Sequence, residues 1–346
     1  MVAAVMGNGH IGLVEEEVPA VRPGTVLVEV HSSLVSPGTE LGSWRGLRAR
    51  MDHPDPAAEP RRFGYSNSGV VLEAGPGVKE FRPGDRVAAI GAGYAQHTDY
   101  AVVPHHLCTR LPDNVTCDQG SYAMLAATGL HALRRGEPEF GEYVAVVGLG
   151  IVGQLTARLY QLAGNYVIGW DTIPFRTQIA RRCSADAAVL VGEQDPIAAT
   201  NRFTDGMGLD AAVLAFGGNA DKAYESVVGS LKCSPDGHRM GRIIVVGGAT
   251  FTVPVRPANF DIRSAGRTGS GYHDDPWEVG PDYPPVFMRW TTRTNLALVI
   301  RLISEGKLNV DALTTHRIPL DNVESGVLAI MDRPDEILGV VFQMKS

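Results

Sequence analysis

The stretch from residue 142 to 153 constrains the fold of this chain more than any other. An apolar, β-branched run, Tyr143-Val144-Ala145-Val146-Val147, ends in Gly148-Leu149-Gly150-Ile151-Val152-Gly153, and a helix-like run follows over 154–163. A second apolar run over 166–170 ends on Asp171, eighteen residues beyond Gly153. This G-x-G-x-x-G arrangement is suited to holding a dinucleotide. Gly148 permits the tight strand-to-helix turn, Gly150 lets the backbone approach a pyrophosphate, and Gly153 lets helix and strand pack closely. Leu149, Ile151 and Val152 complete the turn, and the first helical turn offers free N–H groups and a positive dipole end. Asp171 stands where a carboxylate accepts hydrogen bonds from the adenosine ribose hydroxyls, and it would repel a 2′-phosphate. The predicted cofactor is therefore NAD rather than NADP. A glycine turn of purely structural origin is the competing reading. Strand, turn, helix, second strand and terminal acid in that order argue against it.

The 346 residues suffice for two domains, each with its own core. A net charge of −7 without a basic cluster argues against a nucleic-acid partner. No apolar run reaches the ~18 residues of a membrane span, and the amino terminus lacks the basic flank and long apolar core of a signal peptide. Cys108, Cys117, Cys183 and Cys233 show no C-x-x-C spacing, which suits a reducing compartment and excludes a cysteine-built zinc lobe. The expectation is a soluble cytoplasmic protein acting on a small molecule, with neither nucleic acid nor membrane as partner.

The first third reads as short strands between Gly/Pro turns, at 26–30, 69–74, 86–90 and 100–104, a pattern that suits a small barrel or sandwich. From Tyr122 the texture changes to alternating helix and strand. Strand candidates at 143–147, 166–170, 187–191, 211–215 and 242–247 predict a doubly wound parallel sheet. An amphipathic helix over 295–305 and a closing strand over 339–342 imply that the tail returns to the first domain. The proline-rich charged stretch 52–62 reads as a solvated connection. The aromatic stretch 272–290 reads either as a packed surface loop or as a cover over an active site.

Five markers, in order, carry a resemblance. They are Ser36-Pro37-Gly38-Thr39-Glu40, Gly64-Tyr65-Ser66-Asn67-Ser68-Gly69-Val70-Val71, Phe81-Arg82-Pro83-Gly84-Asp85-Arg86-Val87, Thr128-Gly129-Leu130-His131-Ala132-Leu133 and the glycine fingerprint. Over essentially its full length the chain resembles the medium-chain dehydrogenase/reductase superfamily. The resemblance implies an α/β protein, with a GroES-like β-rich catalytic domain over 1–127 and 273–346. A Rossmann NAD-binding domain, a doubly wound parallel sheet, would occupy 128–272, and the active site would lie in the cleft between the two. It also implies a homodimer.

The departures bear on the chemistry. Zinc-dependent members have Cys-Gly-Thr-Asp where this chain has Pro37-Gly38-Thr39-Glu40, and Gly-His-Glu where it has Gly64-Tyr65-Ser66. The third ligand position falls on Met124. A catalytic zinc needs three ligands from Cys, His or carboxylate, so no metal is expected. Nothing in the spacing of Glu40, His97 and His131 requires a rebuilt site. Within the superfamily the pattern is similar to a branch with SPGTE and GYS-x-x-G signatures that includes bacteriochlorophyllide-type dehydrogenases.

Without zinc, a side chain must balance the charge that develops during hydride transfer. Tyr65, at the missing histidine, either exchanges a proton with the substrate or merely fills space. Thr39 aligns with a proton-relaying hydroxyl or is a turn residue. Glu40 is a structural acceptor or a catalytic group, and His131 is a satisfied histidine or faces the nicotinamide ribose. His273, on the aromatic stretch, is a further candidate for reaching the pocket. Thr128 is placed near the nicotinamide by resemblance, and Arg176 either covers the adenosine or is a solvated charge. Phe216, Gly217, Val246 and Gly247 follow Rossmann strands at the carboxyl edge where ligands bind.

The leading expectation is an NAD(H)-dependent, zinc-independent oxidoreductase interconverting a secondary alcohol and a ketone on a polyhydroxylated or biosynthetic small molecule. Three alternatives stay open. They are a redox-neutral epimerase or eliminase retaining NAD, a metal-free C=C or quinone reductase, and a nucleotide-binding sensor without turnover.

Overall fold

The computed structural model describes residues 1–44, 51–55, 57–254 and 259–344, so Pro56 of the proline-rich stretch lies outside it. The chain forms two compact units, Met1–Ala127 with Thr268–Ser346, and Thr128–Arg267.

The first unit is built on a seven-stranded sheet. Its order is Thr314–Pro319, Gly339–Gln343, Thr25–Leu34, Ser66–Ala74, Arg86–Ile90 and Cys108–Arg110, with Tyr100–Pro104 paired to Thr25–Leu34. The ten-residue strand Thr25–Leu34 is the hub, because three other strands hydrogen-bond to it. Its register against Ser66–Ala74 shifts between Leu27 and Val28 and again between Val30 and Ser32. Such irregularities bend and twist a sheet. The closing strand Gly339–Gln343 pairs antiparallel with the end of this hub, Val341 opposite Leu34. The stretch Ser36-Pro37-Gly38-Thr39-Glu40 opens the helix Pro37–Trp44. Proline suits the first helical position, and Glu40 in the first turn complements the helix dipole.

The second unit is a six-stranded parallel sheet in the order Ala187–Leu190, Tyr166–Asp171, Tyr143–Val147, Ala211–Leu214, Met240–Val245, Asn259–Ser264. Numbered along the chain this is 3-2-1-4-5-6, the doubly wound order. The central strands are apolar at nearly every position because both faces are covered. Val144 and Val146 enter one buried cluster, Ala145 and Val147 the other. The sixth strand departs from the sequence-based expectation. Asn259–Ser264 carries Asp261 and Arg263 and is largely exposed, as an edge strand with one unpaired side can be.

The aromatic stretch divides in two. Tyr272 and Trp277 are buried, whereas Val286 and Phe287 are 89% and 87% exposed. Among the described residues no helix is long and apolar enough to cross a membrane.

Candidate cofactor site and candidate active site

The three glycines of the fingerprint have distinct surroundings. Gly148 has φ +88°, a conformation L side chains rarely adopt, and a Cβ there would lie 3.0 Å from both the Ala215 carbonyl oxygen and Phe216 Cβ. At Gly153 a Cβ would sit 1.8 Å from the Gly148 carbonyl oxygen, so the helix Ile151–Leu162 packs onto the turn only because no side chain intervenes. At Gly150 a Cβ would meet nothing within 4 Å. That open space lies beside the helix N-terminus, whose cap residue Gly150 provides no side-chain hydrogen bond. Unsatisfied N–H groups facing open space form a cradle for an anion.

Asp171 ends the second strand, buried at 7% exposure. One carboxylate oxygen accepts from the Leu149 N–H at 2.6 Å and the other from the Ile173 N–H at 2.9 Å. The carboxylate thus fixes the glycine turn, and each oxygen retains a lone pair for a hydroxyl. Arg176 is not a freely solvated charge, since its guanidinium lies 3.9 Å from Asp171 and is only 24% exposed. The sequence reading missed a brace at Gln154, 1% exposed in the first turn of the helix. Its amide donates to the Leu149 carbonyl at 3.2 Å and the Arg176 carbonyl at 2.9 Å, and accepts from the Ser184 hydroxyl. A buried amide in an otherwise apolar helix turn is the signal that could have found it.

Ala211–Leu214 pairs with Tyr143–Val147 on one side and Met240–Val245 on the other. The segments after these strands, carrying Gly148, Phe216 with Gly217, and Val246 with Gly247, therefore gather along one carboxyl edge. The strand order reverses between the first and fourth strands, the switch point where doubly wound sheets bind ligands. Thr128 and His131 lie in the helix Ala123–Gly136, both half-buried. Gly129 lets this helix approach the next one, since a Cβ would be 2.9 Å from Thr156 Oγ1. Burial, then the Arg135 and Arg134 charges, hold the His131 imidazole below its ordinary value, so it is neutral near pH 7.

The first unit brings Tyr65, Thr39 and Glu40 together, with three partners the sequence did not assign to catalysis. The Tyr65 hydroxyl donates to Ser36 Oγ and is also hydrogen-bonded to the Thr39 side chain. Glu40, 3% exposed, accepts from the Ser36 N–H at 2.9 Å through one oxygen and from His97 Nε2 at 3.0 Å through the other. His97 is fully buried, and its Nδ1 lies 2.7 Å from Ser33 Oγ. Gly64 makes room for this residue, since a Cβ at its φ of +99° would lie 2.6 Å from the His97 backbone nitrogen and 2.9 Å from its ring. Burial pushes the Tyr65 phenol well above its ordinary value, and the Glu40 carboxylate and Tyr272 add to this. The Ser36 and Thr39 hydrogen bonds oppose it. The phenol is therefore protonated at neutral pH and can donate a hydrogen bond. His273, in the same unit, sits at φ +67° with its N–H bonded to Glu278 at 2.8 Å, and its ring lies 4.2 Å from that of Tyr272.

The positions aligned with zinc ligands hold a poor donor set. Pro37 offers no side-chain donor, Met124 only a thioether, and Tyr65 a phenol raised above its ordinary value.

Residues 22–148 match the alcohol dehydrogenase GroES-like domain. The chain is 25% identical to sorbitol dehydrogenase of Mus musculus, over 92% of this chain and 88% of that protein. It is 28% identical to L-threonine 3-dehydrogenase of Pyrococcus furiosus, over 92% of this chain and 91% of that protein. Residues 22–148 thus carry the GroES-like domain of alcohol dehydrogenases, and the chain as a whole is similar to medium-chain dehydrogenases/reductases. Both relatives are dehydrogenases, a kind of oxidoreductase. The fold agrees. Alcohol dehydrogenase TADH from Thermus sp. ATN1 superposes with a TM-score of 0.79 at 20% identity, covering 99% of each chain.

Proposed function

We propose that this chain is a medium-chain dehydrogenase/reductase, an NAD(H)-dependent, zinc-independent enzyme that interconverts a secondary alcohol and a ketone on a hydroxylated small molecule. The observation that carries the reading is the joining of Tyr65, Ser36, Thr39, Glu40 and His97 into one hydrogen-bonded cluster. Glu40 and His97 bond to each other and to Ser36 and Ser33, so neither is directed to a cation. In ketone reduction, bound NADH supplies the hydride. The Tyr65 phenol, through its own proton or that of Ser36, donates to the substrate oxygen as negative charge develops there. Glu40 and His97 act as positioning residues that hold the Ser36 backbone and hence the hydroxyl facing Tyr65. The sorbitol and L-threonine 3-dehydrogenase names of the relatives support a hydroxylated substrate.

For the cofactor, the reading assigns the pyrophosphate to the space beside Gly150 and the first turn at Ile151 and Val152. Asp171 takes the adenosine ribose hydroxyls, and Arg176, Thr128 and the residues around Phe216 and Val246 flank the remainder. The buried carboxylate of Asp171 supports NAD over NADP, because a 2′-phosphate would face like charge.

The test is a fluorescence titration of metal-analysed protein with NADH and NADPH, followed by turnover on a panel of alcohols and ketones. NADH is expected to bind more tightly than NADPH, with net NADH formed from an alcohol. Asp171→Asn should weaken NADH about tenfold or more, the loss of one charge-assisted hydrogen bond. NADPH binding as tight as NADH to the unaltered chain overturns the cofactor assignment, and turnover requiring a metal that is lost on Glu40→Gln overturns the zinc-free one.

A further inference from the structure

Away from the Tyr65 cluster, the first unit holds a second group of polar side chains with a different hydrogen-bonding balance. Glu80 lies in the turn between the strands Ser66–Ala74 and Arg86–Ile90. His105 and His106 open the single 3₁₀ turn His105–Leu107 that follows Tyr100–Pro104. One ligand atom from each of the three lies within 4.8 Å of the other two. His105 and His106 are buried, at 6% and 2% exposure, while the Glu80 side chain is 35% exposed.

We propose that Glu80, His105 and His106 form a zinc site that ties the 80–85 turn to the 105–107 turn, leaving one coordination position toward solvent. Two histidines and one carboxylate are an established zinc donor set, and a fourth position open to water completes a tetrahedron.

Three observations carry the assignment. First, His105 Nδ1 is buried without a hydrogen-bond partner, although it stands only 3.3 Å from Glu80 Oε2. A tetrahedral ion with arms of about 2.0–2.1 Å has ligands about 3.3 Å apart, so this spacing, across which no hydrogen bond is made, suits a shared cation. Second, His106 Nδ1 lies 2.7 Å from the Trp277 carbonyl oxygen. A carbonyl only accepts, so Nδ1 carries the proton and Nε2 keeps its lone pair, the arrangement metal-bound imidazoles take. Third, the carboxylate has its own outer support. Glu80 Oε1 lies 3.5 Å from Arg293, which lies 3.3 Å from Asp282, and Asp282 accepts from the Trp277 indole N–H at 2.9 Å.

The site lies apart from the positions aligned with catalytic zinc ligands and uses none of the Tyr65 cluster.

The test uses the full chain, stripped of metal and then dialysed against zinc chloride, with zinc measured by mass spectrometry and stability by thermal melting. One zinc per chain is expected, with a higher melting temperature that falls on chelation. Glu80→Gln, at a partly exposed position that need not disturb folding, should weaken zinc binding at least tenfold. His105→Gln should do the same. Glu40→Gln should leave zinc content unchanged. Absence of bound zinc, or zinc binding indifferent to Glu80→Gln, overturns the site. Zinc lost in Glu40→Gln but kept in Glu80→Gln overturns it too, and moves the metal to the Tyr65 cluster, which would also end the zinc-free reading of catalysis.

Discussion

Replacing Gly150 with alanine separates the folding role of the glycine turn from its binding role. Gly150 sits at φ −66° and ψ −174°, which any L residue adopts, and an added Cβ would touch nothing within 4 Å. Alanine at a compatible position stabilises by about 0.4–1 kcal/mol, by reducing the entropy of the unfolded chain. As a helix cap it is worse than glycine by roughly 0.5–1 kcal/mol. The two contributions nearly cancel, so the melting temperature should move by less than about 2 °C. Binding should respond very differently. The methyl group would occupy the space through which a pyrophosphate reaches the backbone N–H groups of the first helical turn. Losing two hydrogen bonds to a charged group costs about 1.5–3 kcal/mol each, so NADH affinity should fall by roughly 100-fold or more. Melting curves and NADH fluorescence titrations on the same two proteins read both quantities. If Gly150→Ala binds NADH within a few-fold of the parent chain, the pyrophosphate does not approach Gly150 and the cofactor placement fails. If instead it unfolds many degrees lower, the space beside Gly150 is not open.

Gly153→Ala should have the opposite profile. Its Cβ would lie 1.8 Å from the Gly148 carbonyl oxygen, so thermal stability should drop by several degrees before any cofactor is added; an unchanged melt would refute the close packing. Tyr65→Phe should lower kcat for ketone reduction by about 100-fold or more with KM little changed, as expected for loss of a proton donor. Because burial and Glu40 raise the Tyr65 phenol, the reductive pH profile should show no basic limb from this group below its ordinary value of about 10. An intact rate in Tyr65→Phe would leave the side chain a space-filler. His131 should make the fold acid-sensitive. Its folded-state value is lowered, so the unfolded chain takes up the proton first as pH falls below about 6.5, and stability present above that pH is lost on the way down. Denaturant melts at neutral and mildly acidic pH should show His131→Gln losing less stability than the parent chain, and equal losses would refute the linkage.

Local patterns made most of the nucleotide-binding unit legible in the sequence. Strands such as Tyr143–Val147 are buried on both faces and read as unbroken apolar runs, and the glycine fingerprint lies within six consecutive residues. Asn259–Ser264 escaped notice because an exposed edge strand needs no apolar face, and Asp261 and Arg263 hide the period. The Tyr65 cluster was legible only in part. Thr39 and Glu40 share one helical turn, but His97 reaches Glu40 from 57 positions away and Ser33 from 64. Nothing in the local pattern around His97 announces that Gly64 has been left without a side chain to admit its ring.

The two polar clusters of the first unit differ in how their hydrogen bonds close, and that difference bears on where a cation can reside. Buried polar atoms almost always find partners. Around Tyr65 the rule is met from within: the phenol, Ser36, both Glu40 oxygens and both His97 nitrogens are engaged with one another or with Ser33, and none of these atoms is left over. Inserting a metal there would break several good bonds to make a few. Around His105 the rule is not met. One imidazole nitrogen is buried without a partner, a second ring has its proton committed to a backbone carbonyl, and a carboxylate stands close to both. A dipositive ion satisfies those lone pairs together, where one bridging proton can serve only two of them. The closed bonding of the first cluster, beside an unfilled requirement at His105, fits the proposal that the two have separate tasks, proton supply in the first and metal binding in the second.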